Sequence, residues 1–112
     1  MTPFAWLLIG HLAGDFLLQT TWMAENKASS NPALFSHSMI YTLAIAVSSL
    51  PFGGLPVYAY ALIFITHFFL DKKKLVQWWT KNITGNDAFW LQIVVDQTFH
   101  LVVLALILTL TL

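Results

Sequence analysis

The sequence predicts an all-α integral membrane protein folded as a four-helix transmembrane bundle. Of its 112 residues, 58% are hydrophobic and only 9% are charged, whereas soluble domains carry roughly 25% charged residues. The apolar residues fall into four stretches, each near the ~20 residues that a helix needs to cross a bilayer. A soluble domain this small could not bury so much apolar surface. We therefore expect one transmembrane domain over residues 1–112, with spans at about 3–22, 32–50, 55–71 and 88–112.

The first span is interrupted by three polar residues, His11, Asp15 and Gln19. No basic region precedes it, and a secretory signal peptide has both a basic start and an unbroken apolar core. The stretch is therefore interpreted as a retained span. Within it, Gly10 and Gly14 are small residues four apart, which permits a neighbouring helix to approach closely.

The remaining spans are bounded by turn-rich or polar connections. The second span ends at Pro51–Gly54, and the third ends where a run of lysines begins at Lys72. Barrel strands are excluded for all four spans because the apolar runs are long and do not alternate with polar residues.

The connection between the third and fourth spans contains a candidate interfacial helix within Lys72–Asn82. Leu75, Val76, Trp78 and Trp79 would share one side of a short helix whose lysines face the headgroups. An equally weighted interpretation makes Trp78 and Trp79 ordinary interfacial anchors.

The five lysines predict the orientation of the chain. Lys27 follows the first span, and Lys72, Lys73, Lys74 and Lys81 lie between the third and fourth spans. A four-span topology places both connections on one side, which the positive-inside rule assigns to the cytoplasm. We therefore expect a multi-pass protein of the bacterial inner membrane with both termini outside the cytoplasm. Lys27 itself is interpreted as a solvated loop lysine rather than a ligand of an anionic headgroup.

Three His–Asp pairs stand out because the two members of each pair are four residues apart. Such residues are neighbours on one helix face. The remaining histidine, His37, lies near the start of the second span, so each span contributes one histidine. All of these residues fit the cytoplasmic half of the bilayer. The pairs are His11–Asp15, His67–Asp71 and Asp96–His100.

This constellation predicts a divalent metal site. A carboxylate near the bilayer centre costs roughly 2.5–3.5 kcal/mol, so three of them must be paired, protonated or bound to a cation. Imidazole and carboxylate groups are standard ligands of zinc, the favoured ion, and of manganese and iron. The surplus of ligands leaves open two metals, or one metal whose histidines are oriented by the remaining carboxylates. The candidate ligands are His11, Asp15, His67, Asp71, Asp96 and His100.

The metal site suggests a hydrolase that acts on a lipid or lipid-linked ester or phosphate. The metal would lower the pKa of a bound water toward ~7. His37, or a carboxylate that is not a ligand, would serve as general base, and Tyr41 would polarise the substrate. Gln19 and Gln97 are further catalytic candidates, although either could equally form an interhelical hydrogen bond.

Two alternatives to an enzyme remain open. The chain could be a small proton- or metal-ion-coupled transporter with Asp15 as the coupling carboxylate, or a non-catalytic membrane partner in which the polar cluster locks the bundle. A homo-oligomer is also open. Nucleic acid is not expected as a partner because five lysines balance five acids and arginine is absent. The absence of cysteine excludes thiol nucleophiles and cysteine-ligated metals.

Four segments together resemble a known family. They are HLAGDFLLQTTWMAENK at residues 11–27, His37-x-x-x-Tyr41, His67-x-x-x-Asp71-x-Lys73 and Asp96-Gln97-x-x-His100. The chain resembles the small bacterial and phage membrane proteins grouped as domain of unknown function thirty-three-oh-seven. This resemblance implies an integral membrane protein and brings no catalytic assignment. A looser similarity, to membrane-bound metal-dependent hydrolases, rests on His and Asp pairs on hydrophobic helices.

Overall fold

The computed structural model describes residues 1–111, and this part of the chain is all-α, with no strand. The all-α prediction is therefore confirmed. A π-helical turn, Ala13–Leu17, continues the first helix, and a 3-10 turn, Leu50–Phe52, continues the third. The α-helices are α1 Pro3–Leu12, α2 Thr21–Asn26, α3 Asn31–Ser49, α4 Val57–Leu70, α5 Lys74–Asn82 and α6 Phe89–Thr111.

The first apolar stretch is not one continuous helix. Its π-helical turn ends at Leu17, where the backbone N–H of Leu18 donates to the carbonyl of Ala13 at 2.9 Å. The chain then restarts as α2, because the side chain of Thr20 accepts from the backbone N–H of Met23 at 3.2 Å and caps the new helix. The residues between 17 and 22 therefore bend away from the helix that the apolar pattern suggests.

Two of the described helices are long and apolar enough to cross a membrane, namely Asn31–Phe52 and Phe89–Thr111. The apolar helices Pro3–Leu17 and Val57–Leu70 are shorter. The 14 residues of α4 span about 21 Å at ~1.5 Å per residue, compared with ~30 Å of bilayer hydrocarbon.

Helix α3 is central to the packing and contacts α1, α2 and α4, while α6 packs against α4, α1 and α5. One end of this assembly is filled by apolar side chains. On α1 and α4 these residues precede the histidines, and on α3 and α6 they follow them, which places them in one layer of the bundle. The layer consists of Leu7, Tyr41, Ile45, Ala59, Ile63, Leu104 and Ile107.

The close approach expected at Gly10 and Gly14 is confirmed. A Cβ at Gly14 would lie 2.9 Å from Cδ2 and 3.0 Å from Cα of Tyr41, and a Cβ at Gly10 would overlap the hydroxyl of Ser48. These contacts bring the backbone of the first helix against α3. As a result, Asp15 lies beside the first turns of α3.

The short helix expected between the third and fourth spans is present as α5. Trp79 packs edge to face on Phe99 of α6, with ring centroids 5.3 Å apart, whereas Trp78 is 52% exposed. The turn before α5 places Lys73 in the left-handed region, at φ 65°. That region is uncommon for a residue other than glycine.

Candidate metal centre

The four histidines and three of the carboxylates meet at the end of the bundle opposite the apolar layer. They come from the first helix with its π-helical turn, from the start of α3, from the end of α4 and from the first half of α6. None is more than 6% exposed. The residues are His11, Asp15, His37, His67, Asp71, Asp96 and His100.

Asp71 lies at the centre of the cluster, with no exposed surface. Its Oδ2 is 3.0 Å from Nε2 of His37, 3.1 Å from Nε2 of His67 and 3.2 Å from Nζ of Lys27. Its Oδ1 is 3.1 Å from Nε2 of His100 and 3.3 Å from Nζ of Lys73. Five nitrogen-bearing side chains therefore surround one carboxylate.

Two overlapping groups have the donor set of a metal site. Asp15, His37, His67 and Asp71 each offer one ligand atom, and these atoms lie within 4.8 Å of one another. A second group, with the same spacing, joins Asp71 to Asp96 and His100. Asp71 belongs to both groups, so it could bridge two ions or serve either one. The buried His and Asp groups could therefore bind a metal ion.

Unsatisfied polar atoms inside the cluster fit this assignment. His67 has no hydrogen-bond partner on either ring nitrogen, and Nε2 of His100 has none. Oδ2 of Asp71 has no hydrogen bond either, although Nζ of Lys27 lies 3.2 Å away as its ion-pair partner. A buried ring nitrogen without a hydrogen bond costs ~1–3 kcal/mol. A divalent cation in the first group would be ligated by one ring nitrogen of His67 and one oxygen of Asp71, and a cation in the second group by one ring nitrogen of His100.

His11 lies outside both groups, and both of its ring nitrogens have hydrogen-bond partners. Nε2 of Gln97 faces Oδ2 of Asp96 at 3.3 Å, which leaves the carbonyl Oε1 of Gln97 facing Nε2 of His11 at 2.6 Å. That oxygen only accepts, so Nε2 of His11 donates. In a neutral ring Nδ1 then accepts from the hydroxyl of Tyr41, at 2.8 Å. His37, by contrast, lies inside the first group.

Tyr41 connects this hydrogen-bonded chain to the metal-binding group. Its ring stacks on that of His67, with centroids 3.8 Å apart and planes inclined by 12°. The hydroxyl is held by His11, and the side chain is 2% exposed. Tyr41 therefore fixes the plane of His67 in this structure.

Gln19 meets the cluster through the backbone of Asp15. Since the helix ends at this point, the carbonyl of Asp15 accepts from Nε2 of Gln19 at 3.0 Å. Oε1 of Gln19 is buried without a partner. Gln19 also lines a cleft of about 280 Å³ that reaches Asp15, Asp96 and Gln97.

Two lysines belong to this site, and one of them corrects an expectation. Lys27 is not a solvated loop lysine: its side chain is 14% exposed and its ammonium is paired with Asp71. The reason is that α2 folds back against α3 and returns the end of the first connection to the cluster. The pairing with a buried acid on α4 follows from that fold rather than from local sequence.

Lys73 is the second lysine, and its Nζ is 2.8 Å from Oδ2 of Asp96 as well as 3.3 Å from Asp71. Burial alone would lower the pKa of Lys73, but the carboxylates of Asp71 and Asp96 outweigh that effect and raise it above the usual value. In the sequence, Lys73 is singled out only by its place in the segment His67-x-x-x-Asp71-x-Lys73, which contributes to the family resemblance.

Comparison with known proteins gives one match. A family model described as "Protein of unknown function (DUF3307)" matches residues 4–112. The chain matches no curated protein and no solved structure. The looser similarity to membrane-bound metal-dependent hydrolases is not shown by these comparisons.

Proposed function

The chain belongs to the DUF3307 family, and from that premise we propose that it is a metal-dependent membrane hydrolase of lipid or lipid-linked substrates. Its active centre would be the His/Asp cluster, on the cytoplasmic side of a four-span bundle. The observation that carries the proposal is the convergence of His67, His100 and Asp71, which bring together four buried atoms without a hydrogen bond: both ring nitrogens of His67, Nε2 of His100 and Oδ2 of Asp71. An ion is the ligand that such a set fits best.

The apolar surface supports a bundle surrounded by lipid. Large apolar side chains are exposed on each of the four apolar helices, for example Ile9, Leu43, Ile65 and Val102. Soluble monomers rarely expose such surface on every side. The shorter helices α1 and α4 would be accommodated by local thinning of the bilayer.

The first candidate ion site uses Asp15, His37, His67 and Asp71, and zinc, manganese or iron suits these ligands. When bound, the ion would activate water for attack on an ester or phosphate. Asp96 lines the cleft and its Oδ1 has no hydrogen-bond partner, so it is the carboxylate best placed to accept a proton there. His11 and Gln97 would hold Tyr41, and Gln19 would hold the backbone of Asp15.

The access to the cluster suits an enzyme. The cleft reaches the cluster between the π-helical turn, α2 and the start of α6, whereas the opposite end of the bundle is filled by Leu7, Ile45, Ile63 and Leu104. An enzyme needs only this cleft. A carrier would need a second state in which the apolar layer opens to the other side.

The first test is the metal content of detergent-purified protein by mass spectrometry, beside His67→Ala and Asp71→Asn. We expect about one or two equivalents of zinc, manganese or iron in the wild type and a loss in both variants. The metal-loaded protein should then release product from lipid esters or phosphates in mixed micelles, and a chelator should stop the release.

Three results would overturn this proposal. Absence of bound metal after reconstitution with each candidate ion would remove the centre. Bound metal without hydrolysis, together with ion or proton movement across liposomes, would replace the hydrolase with a transporter. A folded protein that shows neither hydrolysis nor ion or proton movement would be a non-catalytic membrane partner.

A further inference from the structure

We propose that the cleft beside the metal centre is a phosphate-binding site, that its ligand is the headgroup of an anionic phospholipid, and that Lys27 and Lys73 contact the phosphate. This inference rests on the proposed function and names its substrate class. The two lysines approach Asp71 from either side, one at each carboxylate oxygen, and both line the cleft.

The lysines keep donors free for a ligand. An ammonium group has three N–H donors. Lys27 has one ion-pair partner, Asp71, and Lys73 has two, Asp71 and Asp96. Their side chains are 14% and 24% exposed, so the unused donors can reach an anion in the cleft. The ion pairs with Asp71 and Asp96 hold the Lys73 ammonium at the cleft.

The charge of the cluster makes the anion site depend on the metal. With neutral histidines, the three carboxylates of Asp15, Asp71 and Asp96 exceed the two lysine charges, and an anion would be repelled. A divalent ion reverses the sign of this sum. Phosphate binding should therefore require the loaded centre.

A second observation indicates what is attached to the phosphate. Oε1 of Gln19 is buried at the cleft and accepts from no group, while Nε2 of the same side chain is occupied by the carbonyl of Asp15. A hydroxyl group next to a phosphate ester, as on glycerol or a sugar, would supply the missing donor. Free phosphate would supply it less well because its oxygens are mostly acceptors.

The size and walls of the cleft favour a lipid. Its volume of about 280 Å³ lies just below the ~300–1,000 Å³ of sites that enclose a whole small ligand. It therefore suits a headgroup whose chains remain outside. Phe16 and Phe89 line the cleft and are 54% and 79% exposed, which gives those chains an apolar surface to contact.

The test measures binding of phosphatidylglycerol, which has glycerol hydroxyls beside its phosphate, to the zinc-loaded, full-length protein in phosphatidylcholine nanodiscs, with inorganic phosphate as a competing probe. Lys27→Gln and Lys73→Gln should each weaken phosphatidylglycerol binding about tenfold or more, because each removes a charge-assisted hydrogen bond. Lys27→Arg should retain binding. The matched control is Lys74→Gln, which removes the same charge at an exposed neighbouring position and should change nothing.

Metal content is measured on the same samples, so that loss of the centre is distinguished from loss of the phosphate site. Gln19→Leu provides a variant that leaves Asp71 and both lysines untouched. It should weaken phosphatidylglycerol binding, because the glycerol hydroxyl loses its acceptor, but not inorganic phosphate binding.

Equal weakening by Lys74→Gln would show general surface attraction and overturn the inference. Failure of the metal-loaded wild-type protein to bind phosphatidylglycerol would also overturn it, although the metal centre itself would stand. Inorganic phosphate that competes as tightly as the lipid would overturn the lipid assignment. Absence of metal in the wild type would instead overturn the proposed function.

Discussion

At the scale of single residues, Asp71 is held by an unusual number of partners. Nitrogen atoms of two lysines and three histidines lie within 3.3 Å of its carboxylate oxygens, and the residue has no exposed surface. A buried carboxylate is tolerated only when it is paired or bound to a cation. Lys27 and Lys73 pair with Asp71, and the three histidines bring ligand atoms of both metal-binding groups next to it.

His37 and His11 give the sharpest residue-level prediction. His37→Ala should remove most of the bound metal, because the His37 ring lies in the four-ligand group. His11→Ala should leave the metal content close to that of the wild type, because both His11 nitrogens bind Tyr41 and Gln97 instead. Measuring the metal content of the two purified variants tests which histidine binds the ion. Equal losses would assign His11 to the metal.

The sequence predicted which residue types meet, but not how each one is used. The four-residue spacing pairs His11 with Asp15, and the structure keeps their ring and carboxylate 3.7 Å apart. That spacing describes one helix only. Which histidine faces which acid depends on the rotation of α1 against α3, and no local pattern encodes that rotation. Lys27 was missed for a similar reason, since its partner is on another helix.

At the scale of elements, the π-helical turn sets the position of Asp15. π-helical turns are rare and occur frequently at functional sites. Here the turn ends the first helix, and α2 starts at Thr21. The backbone carbonyl of Asp15 then accepts a hydrogen bond from the side chain of Gln19. An apolar pattern that continues to Trp22 gives no sign of this change, because hydrophobicity alone does not distinguish π-helical from α-helical turns.

Gly14→Ala should destabilise the packing of the first helix on α3. The new methyl group would meet Tyr41, including its Cα, which cannot rotate away. Overpacking of this kind costs about 1–3 kcal/mol. We expect a lower melting temperature in detergent and weaker metal binding, since Asp15 would shift with its helix.

Ala61→Val is the control for that variant, because it adds methyl groups at an exposed position of α4. Its melting temperature should match that of the wild type. If Gly14→Ala melted at the same temperature as Ala61→Val, the close approach of α1 to α3 would not contribute to stability.

At the scale of the whole molecule, the bundle divides into an apolar layer and a polar layer. The helices that form the apolar layer could be predicted from the sequence, because long hydrophobic runs identify them. The residue types of the polar layer were predicted, but its cleft also depends on α2 and on the turn before α5. The placement of α2 against α3 and of α5 against α6 is a tertiary result.

Metal loading should stabilise the whole fold. An ion that binds only the folded protein adds about 2.7 kcal/mol when its free concentration is ~100 times the dissociation constant. Thermal melts with zinc should therefore exceed those in chelator, and the difference should vanish in Asp71→Asn. A zinc effect that persisted in that variant would place the stabilising site elsewhere.

The orientation can be tested directly because the chain contains no cysteine. Single cysteines introduced as Ser29→Cys and Asn86→Cys lie in the lysine-bearing connections, and Val57→Cys lies at the exposed start of α4. An impermeant thiol reagent added to spheroplasts should label only Val57→Cys. Labelling of Ser29→Cys and Asn86→Cys instead would invert the topology.

The partners of Asp71 also have a consequence for biosynthesis. Lys27, His37 and His67 all precede it in the chain, and Lys73 follows by two residues. When Asp71 leaves the ribosome, four of its five neighbouring side chains have been made or are about to follow, and only His100 comes much later. The nascent chain can therefore shelter its most deeply buried charge before α6 is synthesised, and α6 then closes a centre that is already largely assembled.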